Sequence, residues 1–499
     1  MTARLNVILP GILFLLQCNT VFTQSAKSET AIQVMAKAMT ALGNGWDTVH
    51  TLKLEGYGNR FIVDQSERFE GPYIPYQTSR LFTIDIDRQI AAAKEETNLS
   101  NFSSVADYVL NANSIALKNQ GHLQPLEANH ELQDWMLLAP ETILKIASQS
   151  GTLKLSKDTV LQKAGQYVIS FKYNNFPVRL FLNKETNMLT AAQITKPQLS
   201  GYAGIWGDSR KTVFYSFWNL LGKNIHYPLQ TDTYLDDYYI ESFLVNKWTV
   251  NLPFSSDSLV IPDSIKQQAA LAGKSSLQRF IKRMNSQAKE IAKDIWLLPG
   301  PCNTTVVKQQ DGVVVIESSY SSEYGDAIIK KVKELYPGEK IKAFIATSDA
   351  WLHLGGIRPF ATGNISFYFP YRNEPLLTKV LDAPYITNPD SLARKGKGKV
   401  TMNGVKNIVT IGQGMNTIRL YPYRTETGDR MMMVFFPGHK IVYCSDLYQP
   451  KGRDGNYWQP HYAWEVYHSI KEYDLPAVKL YAMHVPELLD VSGLEKDFE

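Results

Sequence analysis

The sequence predicts an α+β fold in two parts, an antiparallel β-rich part followed by a part that mixes strands and helices. Its 499 residues, of which 44% are hydrophobic and 20% charged, exceed the needs of one hydrophobic core. Alternating apolar and polar residues dominate the first half, which indicates half-buried strands. The second half has short apolar runs on either side of a helix-like segment. Such runs indicate strands that are buried on both faces.

The N-terminal segment, residues 1–23, has the parts of a secretory signal peptide. Arg4 precedes an apolar stretch over residues 5–16, which is too short to span a bilayer. We therefore expect an exported protein, periplasmic or secreted, without a transmembrane segment. Cys18 raises the alternative of a lipoprotein, which is less favoured because Gln17 stands where a small residue is expected. The mild net charge of +4 indicates no nucleic-acid partner.

Residues 24–270 are predicted to form one β-rich domain. A short amphipathic helix over residues 31–42 leads into it. Apolar residues then alternate with polar ones over residues 167–173 and 178–183, which predicts an antiparallel meander with one buried face. A connecting helix is predicted over residues 271–294, where apolar residues form one stripe and basic residues the other.

The second domain is predicted to cover residues 295–499. Two strands, over residues 303–307 and 313–317, are joined by an Asp-Gly turn signal. A helix follows and ends at a Pro-Gly pair, and an apolar run over residues 341–346 then predicts a buried strand. Polar residues and a Gly355-Gly356 pair follow this strand, which is typical of a loop that carries functional side chains.

This loop resembles the signature of metallo-β-lactamase-fold hydrolases, where a strand ends in Thr-His-x-His-x-Asp-His and continues into a Gly-Gly turn. The matching residues are Thr347, His353, Gly355 and Gly356. The resemblance covers roughly residues 295–499 and implies a four-layer αββα sandwich. The β-rich domain before it is loosely similar to the half-barrels of periplasmic lipoprotein carriers.

Four positions depart from the family's pattern. Ser348 and Ala350 stand where the family has His, and Leu352 stands where it has Asp. Thr427 is the residue nearest to the position of a further His. The resemblance therefore implies that every protein ligand of the family's first metal site is missing, whereas the second site has lost only one carboxylate.

Three residues retain the family's ligand types. His353 and His484 match two histidines of the second site, and Asp446 matches the acid that bridges both metals. The resemblance implies that these three could hold one Zn²⁺ or Fe²⁺, with water completing the shell. The alternative is that both histidines are hydrogen-bonded polar residues at strand ends and that Asp446 caps a turn.

The missing ligands favour a non-catalytic binding or scaffold module of the cell envelope, a pseudoenzyme that recognises a small molecule or an envelope partner. The alternative is a mononuclear metal-dependent hydrolase that acts on an ester, amide or phosphoester, because one metal can still activate water. We assign no catalytic residue. Cys302 and Cys444 follow no motif spacing, so whether they pair is left open.

Overall fold

The structure is a computed structural model that describes residues 29–65, 70–99, 102–111, 114–126, 131–198, 202–453 and 455–499. The predicted signal peptide and Cys18 lie outside these residues. The described chain has an α+β fold with three β-sheets. Among its helices, none combines the length and the apolar character that crossing a bilayer requires.

The first sheet is antiparallel throughout and has thirteen strands in the described part of the chain. Its strands are β1 (Thr51–Ile62), β2 (Ile74–Asp85), β3 (Ile90–Leu99), β4 (Phe102–Asn111), β5 (Ser114–Asn119), β6 (His122–Pro125), β7 (Lys154–Leu161), β8 (Ala164–Tyr173), β9 (Phe176–Asn183), β10 (Leu189–Pro197), β11 (Asp208–Gly222), β12 (Ile225–Leu235) and β13 (Tyr238–Val250). They lie in the order β6-β5-β4-β3-β2-β1-β13-β12-β11-β10-β9-β8-β7. The first and last strands in chain order, β1 and β13, therefore pair with each other at the centre of the sheet.

Two helices, α1 (Ala31–Leu42) and α2 (Pro140–Ser148), pack their apolar residues against strands β8 to β11. The bounds of α1 are those that the sequence predicts, because both ends carry local signals. Thr30 forms a capping box with Gln33, and Gly43 ends the helix with a φ of +105°.

The connecting helix differs from the prediction at both ends. Helix α3 spans Asp263–Gln287 and not residues 271–294. Pro262 precedes its first residue with an extended backbone, which sets the start of the helix. Residues Lys289–Ala292 form strand β14, which pairs with β15 (Ile295–Leu298). The apolar spacing around Ile291 fitted a helix equally well, and this backbone pairing decided the outcome.

The second sheet consists of β14, β15, β16 (Thr304–Gln309), β17 (Gly312–Ile316), β18 (Ile341–Ile345), β19 (Ile365–Pro370) and β20 (Val400–Val405), in that order. The third contains β21 (Val409–Ile411), β22 (Ile418–Pro422), β23 (Met432–Phe436), β24 (Ile441–Tyr443), β25 (Lys479–Ala482) and β26 (Val485–Asp490). The remaining helices are α4 (Ser322–Leu335), α5 (Trp351–Leu354), α6 (Glu374–Leu381), α7 (Ser391–Lys395), α8 (Pro460–Glu472) and α9 (Ser492–Phe498).

Three apolar clusters hold these elements together. The first joins side chains of the second and third sheets, such as Val314 and Val434. The second joins the second sheet to α3, α4 and α6 and also includes Trp206 of the N-terminal half. The third joins the third sheet to α8 and α9. The second and third sheets therefore pack against each other, and each also packs against helices.

Candidate metal centre

The loops that follow β18, β24 and β25 lie at one edge of the second and third sheets. Strand β17 is parallel to β18 and β24 is parallel to β25, so the carboxyl ends of each pair point the same way. Backbone hydrogen bonds hold the loops together. The amide of Met432 donates to the carbonyl of Thr347 at 3.1 Å, and the amide of Met483 donates to Ser445 at 2.9 Å. Side chains from distant segments therefore meet here.

The structure brings His353, Asp446 and His484 together. Nε2 of His484 lies 3.1 Å from Oδ1 of Asp446, and Nε2 of His353 lies 3.8 Å from Oδ2. The two imidazole rings are 5.7 Å apart. His353 and Asp446 are buried, whereas the His484 side chain is 35% exposed.

Burial and mutual attraction set the charge of these groups. Burial lowers the pKa of His353 to about 4, so this imidazole is neutral near pH 7. Burial acts to raise the pKa of Asp446, but the two imidazoles and the amide of Gln65 hold it below its usual value. Burial acts to lower the pKa of His484, but its contact with Asp446 raises it. The carboxylate is therefore ionised, which is the form that binds a cation.

Cys302 is a member of this group that the sequence did not identify. The thiol of Cys302 and one ring nitrogen each of His353 and His484 all lie within 4.8 Å of one another. Burial raises the pKa of Cys302 well above its usual value. Cys302 and Cys444 are both buried free thiols, so they do not form the disulfide left open above. The Pro-Gly-Pro segment directly before Cys302 was the available signal, since such turns often carry functional residues.

The N-terminal half also reaches the site, through the connection between β1 and β2. Nε2 of Gln65 donates a hydrogen bond to Oδ2 of Asp446 at 2.8 Å. Beside it, the amide of Trp351 donates to the carbonyl of Asp64 at 2.8 Å. Glu70 forms an ion pair with Arg430. No local pattern marks these residues, because their partners lie hundreds of residues away in the chain.

The residues at the four non-matching positions have other partners. Oγ of Ser348 lies 3.1 Å from Nδ1 of His353. Ala350 precedes helix α5 as its cap. Leu352 packs against the cluster that joins the second sheet to its helices. Thr427 donates hydrogen bonds to Glu465 from both its amide and its hydroxyl.

A buried acid and base lie next to the non-matching positions, since Asp349 stands between Ser348 and Ala350. Oδ2 of Asp349 lies 3.8 Å from Nε of Arg430, and both side chains are buried. Burial raises the pKa of Asp349 to about 7, although the charge of Arg430 opposes this rise. A fixed guanidinium in this region disfavours the binding of a cation next to it.

The other histidines that follow β14 in the chain do not join the site. His439 lies in a turn, where Nε2 contacts Oδ1 of Asn416 at 2.8 Å. His461 and His468 lie on α8 with side chains 61% and 49% exposed.

The donor set of the site fits one zinc ion. Cys302 offers a sulfur atom, His353 and His484 offer nitrogen atoms, and Asp446 offers a carboxylate oxygen. Zn²⁺ in proteins takes four ligands of these types in a tetrahedral arrangement. When bound, the metal would supply a positive charge among these side chains. The buried Oδ1 of Asp446 faces Nε2 of His484 at 3.1 Å, although the geometry of this contact is not that of a hydrogen bond.

Neither a protein-family model nor a curated protein matches this chain. Solved structures give partial likenesses. The DIM-1 metallo-β-lactamase is 16% identical, with 42% of this chain and 93% of that chain covered and a TM-score of 0.30. A metallo-β-lactamase from Erythrobacter litoralis is 14% identical over 42% of this chain and 94% of its own, with a TM-score of 0.30.

The inverting sec-alkylsulfatase Pisa1 from a Pseudomonas species is 14% identical, with a TM-score of 0.31. This chain spans only 42% of that enzyme, and 45% of this chain is covered.

Proposed function

We propose that this protein is an exported binding or scaffold module of the cell envelope, built on a metallo-β-lactamase-type αββα sandwich that no longer carries out two-metal hydrolysis. The signature loop after β18 and the apolar cluster shared by two sheets support the sandwich. Helices packed on both outer faces support its four layers. The envelope location rests on the N-terminal segment, residues 1–23.

One observation carries this proposal. At positions where the family has ligands of the first metal ion, this chain has side chains that bind other protein groups. Thr427 donates a hydrogen bond to Glu465, and Ser348 contacts His353. Two-metal hydrolysis needs ions that clamp both the attacking and the leaving oxygen. Without ligands for the first ion, the chain lacks half of that clamp.

The contacts of Asp446 point in the same direction. Its Oδ1 lies against His484, and its Oδ2 accepts the hydrogen bond from Gln65. A carboxylate that bridges two metals must present both oxygens to them. Here the N-terminal half occupies one of these oxygens, so a bridging role would require the β1–β2 connection to move.

A second candidate is a mononuclear hydrolase that acts on an ester, amide or phosphoester. The observation that favours it is the convergence of His353, His484 and Asp446 from three separate loops. One zinc or iron ion held there could lower the pKa of bound water and polarise a substrate oxygen.

Steady-state assays of the purified full chain distinguish these two functions. We expect no hydrolysis of ester, amide or phosphoester reporter substrates, with zinc supplied, beyond that of the His484→Ala variant. His439→Ala serves as the matched control, because this histidine lies in a turn outside the site. Turnover that is present in the wild type and in His439→Ala but lost in His484→Ala would refute the proposal and establish the hydrolase.

A further inference from the structure

Leu352 stands where the family has a carboxylate ligand, so the second metal site is one ligand short. Leu352 packs against the cluster that joins the second sheet to its helices. Cys302 lies in the loop between β15 and β16, and its thiol lies within 4.8 Å of ring nitrogens of His353 and His484. We infer that Cys302 replaces the missing carboxylate and that Cys302, His353, His484 and Asp446 form a closed four-ligand site for one Zn²⁺.

The distances within this group suit a zinc ion. Two nitrogen or oxygen ligands of tetrahedral zinc are about 3.3 Å apart, because each bond is about 2.0 Å long. Nε2 of His484 lies 3.1 Å from Oδ1 of Asp446, close to this value, whereas Nε2 of His353 faces the other oxygen, Oδ2, at 3.8 Å. The upper limit of 4.8 Å for the thiol and imidazoles leaves room for the longer bond of zinc to sulfur.

The surroundings orient the ligands as they do in other zinc sites. A zinc-binding histidine usually gives its second ring nitrogen to a polar neighbour, which holds the ring in place. Nδ1 of His353 lies 3.1 Å from Oγ of Ser348, so its Nε2 is left to face Asp446. The backbone carbonyl of Pro301, the residue before Cys302, lies beside the ring of His484. The loop that brings the thiol therefore also contacts an imidazole.

Charge balance supports the same ligand set. A cysteine binds zinc as the thiolate and an aspartate binds it as the carboxylate, so two negative charges would neutralise Zn²⁺ in a largely buried site. With Leu352 in place of an acid, the two histidines and Asp446 alone would leave one positive charge uncompensated. Burying an uncompensated charge is costly.

A site with four protein ligands has no open position for a water molecule, which is the arrangement of structural zinc sites. This inference rests on the proposed non-catalytic function and names the ion that the same cleft would hold. Gln65 would then donate its hydrogen bond to Oδ2 of Asp446 while Asp446 binds the ion. The zinc site would thereby join the two halves of the chain. The two ideas can fail separately, since a thiolate ligand is detected without any assay of turnover.

Cobalt titration of the metal-free full chain tests the ligand set. We expect one equivalent of Co²⁺ to bind with the strong near-ultraviolet absorption of a cobalt thiolate and with the visible bands of a tetrahedral ion. Cys302→Ser should abolish the thiolate band and weaken binding at least about 100-fold, since even changes outside the ligand shell cost 10- to 100-fold. Cys444→Ser is the matched control, because it removes the other buried free thiol and should leave the spectrum unchanged.

X-ray absorption of the zinc-loaded wild type provides a test that needs no variant. The expected result is one sulfur neighbour at about 2.3 Å together with nitrogen or oxygen neighbours. A shell without sulfur, or a cobalt spectrum that Cys302→Ser does not change, would overturn the inference and leave the proposed function standing. A sulfur neighbour together with hydrolytic turnover would keep the ligand set and refute the proposed function.

Discussion

Glu141 shows how a single residue can make stability depend on pH. It lies in the first turn of α2, where its side chain is buried, and burial raises its pKa from 4.5 to about 7. A carboxyl group with a raised pKa favours the folded state in its neutral form. Its contribution is therefore fully present below pH 4.5 and is lost as the pH rises through 7.

We expect the Glu141→Gln variant to remove this dependence. Between pH 4.5 and 8, the free energy of unfolding of the wild type should fall by up to about 3 kcal/mol relative to that of the variant, since each pKa unit corresponds to about 1.4 kcal/mol. Urea denaturation at several pH values measures this difference. Glu185→Gln, in an exposed turn, should follow the wild type at every pH. Parallel curves for the wild type and Glu141→Gln would show that Glu141 is ionised when folded.

The β1–β2 hairpin is the element through which the N-terminal half reaches the candidate metal centre. Its two strands pair over their whole length, from Thr51 opposite Asp85 to Ile62 opposite Ile74. Midway along it, the buried Arg80 pairs with Glu95 and Glu241 on neighbouring strands, which fixes the sheet there. Beyond the paired region, Asp64 and Gln65 contact the second domain.

Replacing Gln65 by Ala should loosen this contact. A hydrogen bond to a charged group contributes about 1.5–3 kcal/mol, so the variant should lose stability in that range. With a chelator present, the amide of Trp351, which donates to Asp64, should exchange faster with deuterium. Gln77→Ala, on the exposed side of β2, is the control and should leave this exchange rate unchanged. Unaltered exchange in Gln65→Ala would mean that other contacts hold the hairpin.

At the scale of the whole molecule, the two halves share one hydrophobic cluster. Trp206 of the N-terminal half lies edge-on to Trp351, with ring centroids 5.0 Å apart. Nζ of Lys379 lies 4.9 Å from the ring of Trp206 and 4.2 Å from that of Tyr238. Because apolar side chains of both halves are buried together in this cluster, separating the halves would expose part of it to water.

The full chain should therefore unfold in one cooperative transition, and Trp206→Ala should shift all of it. Truncating a buried tryptophan costs about 3–5 kcal/mol, whereas Trp458→Ala, at a side chain 65% exposed, should change stability by less than about 0.5 kcal/mol. Denaturation followed by circular dichroism measures both. Two transitions, of which Trp206→Ala moves only one, would show that the halves fold independently.

How much of the candidate site is predictable depends on how far apart its members lie in the chain. His353 follows its strand within a recognisable loop, and the matches of Asp446 and His484 rest on strand ends. Gln65 lies 381 residues from its partner Asp446, and no pattern of neighbouring residues encodes that contact. Cys302 was visible only as a cysteine without a partner motif.

The sequence by itself determined the α+β class, helix α1 with its end at Gly43, and a hairpin turn between β16 and β17, because caps and turns act over a few residues. The turn residues are Gln310 and Asp311, one residue earlier than the predicted Asp311-Gly312 pair. Only the tertiary structure decided that β14 follows α3, that Cys302 joins two imidazoles, and that Gln65 reaches Asp446. Those outcomes depend on which surfaces of the folded chain pack together, and packing is a property of the whole molecule.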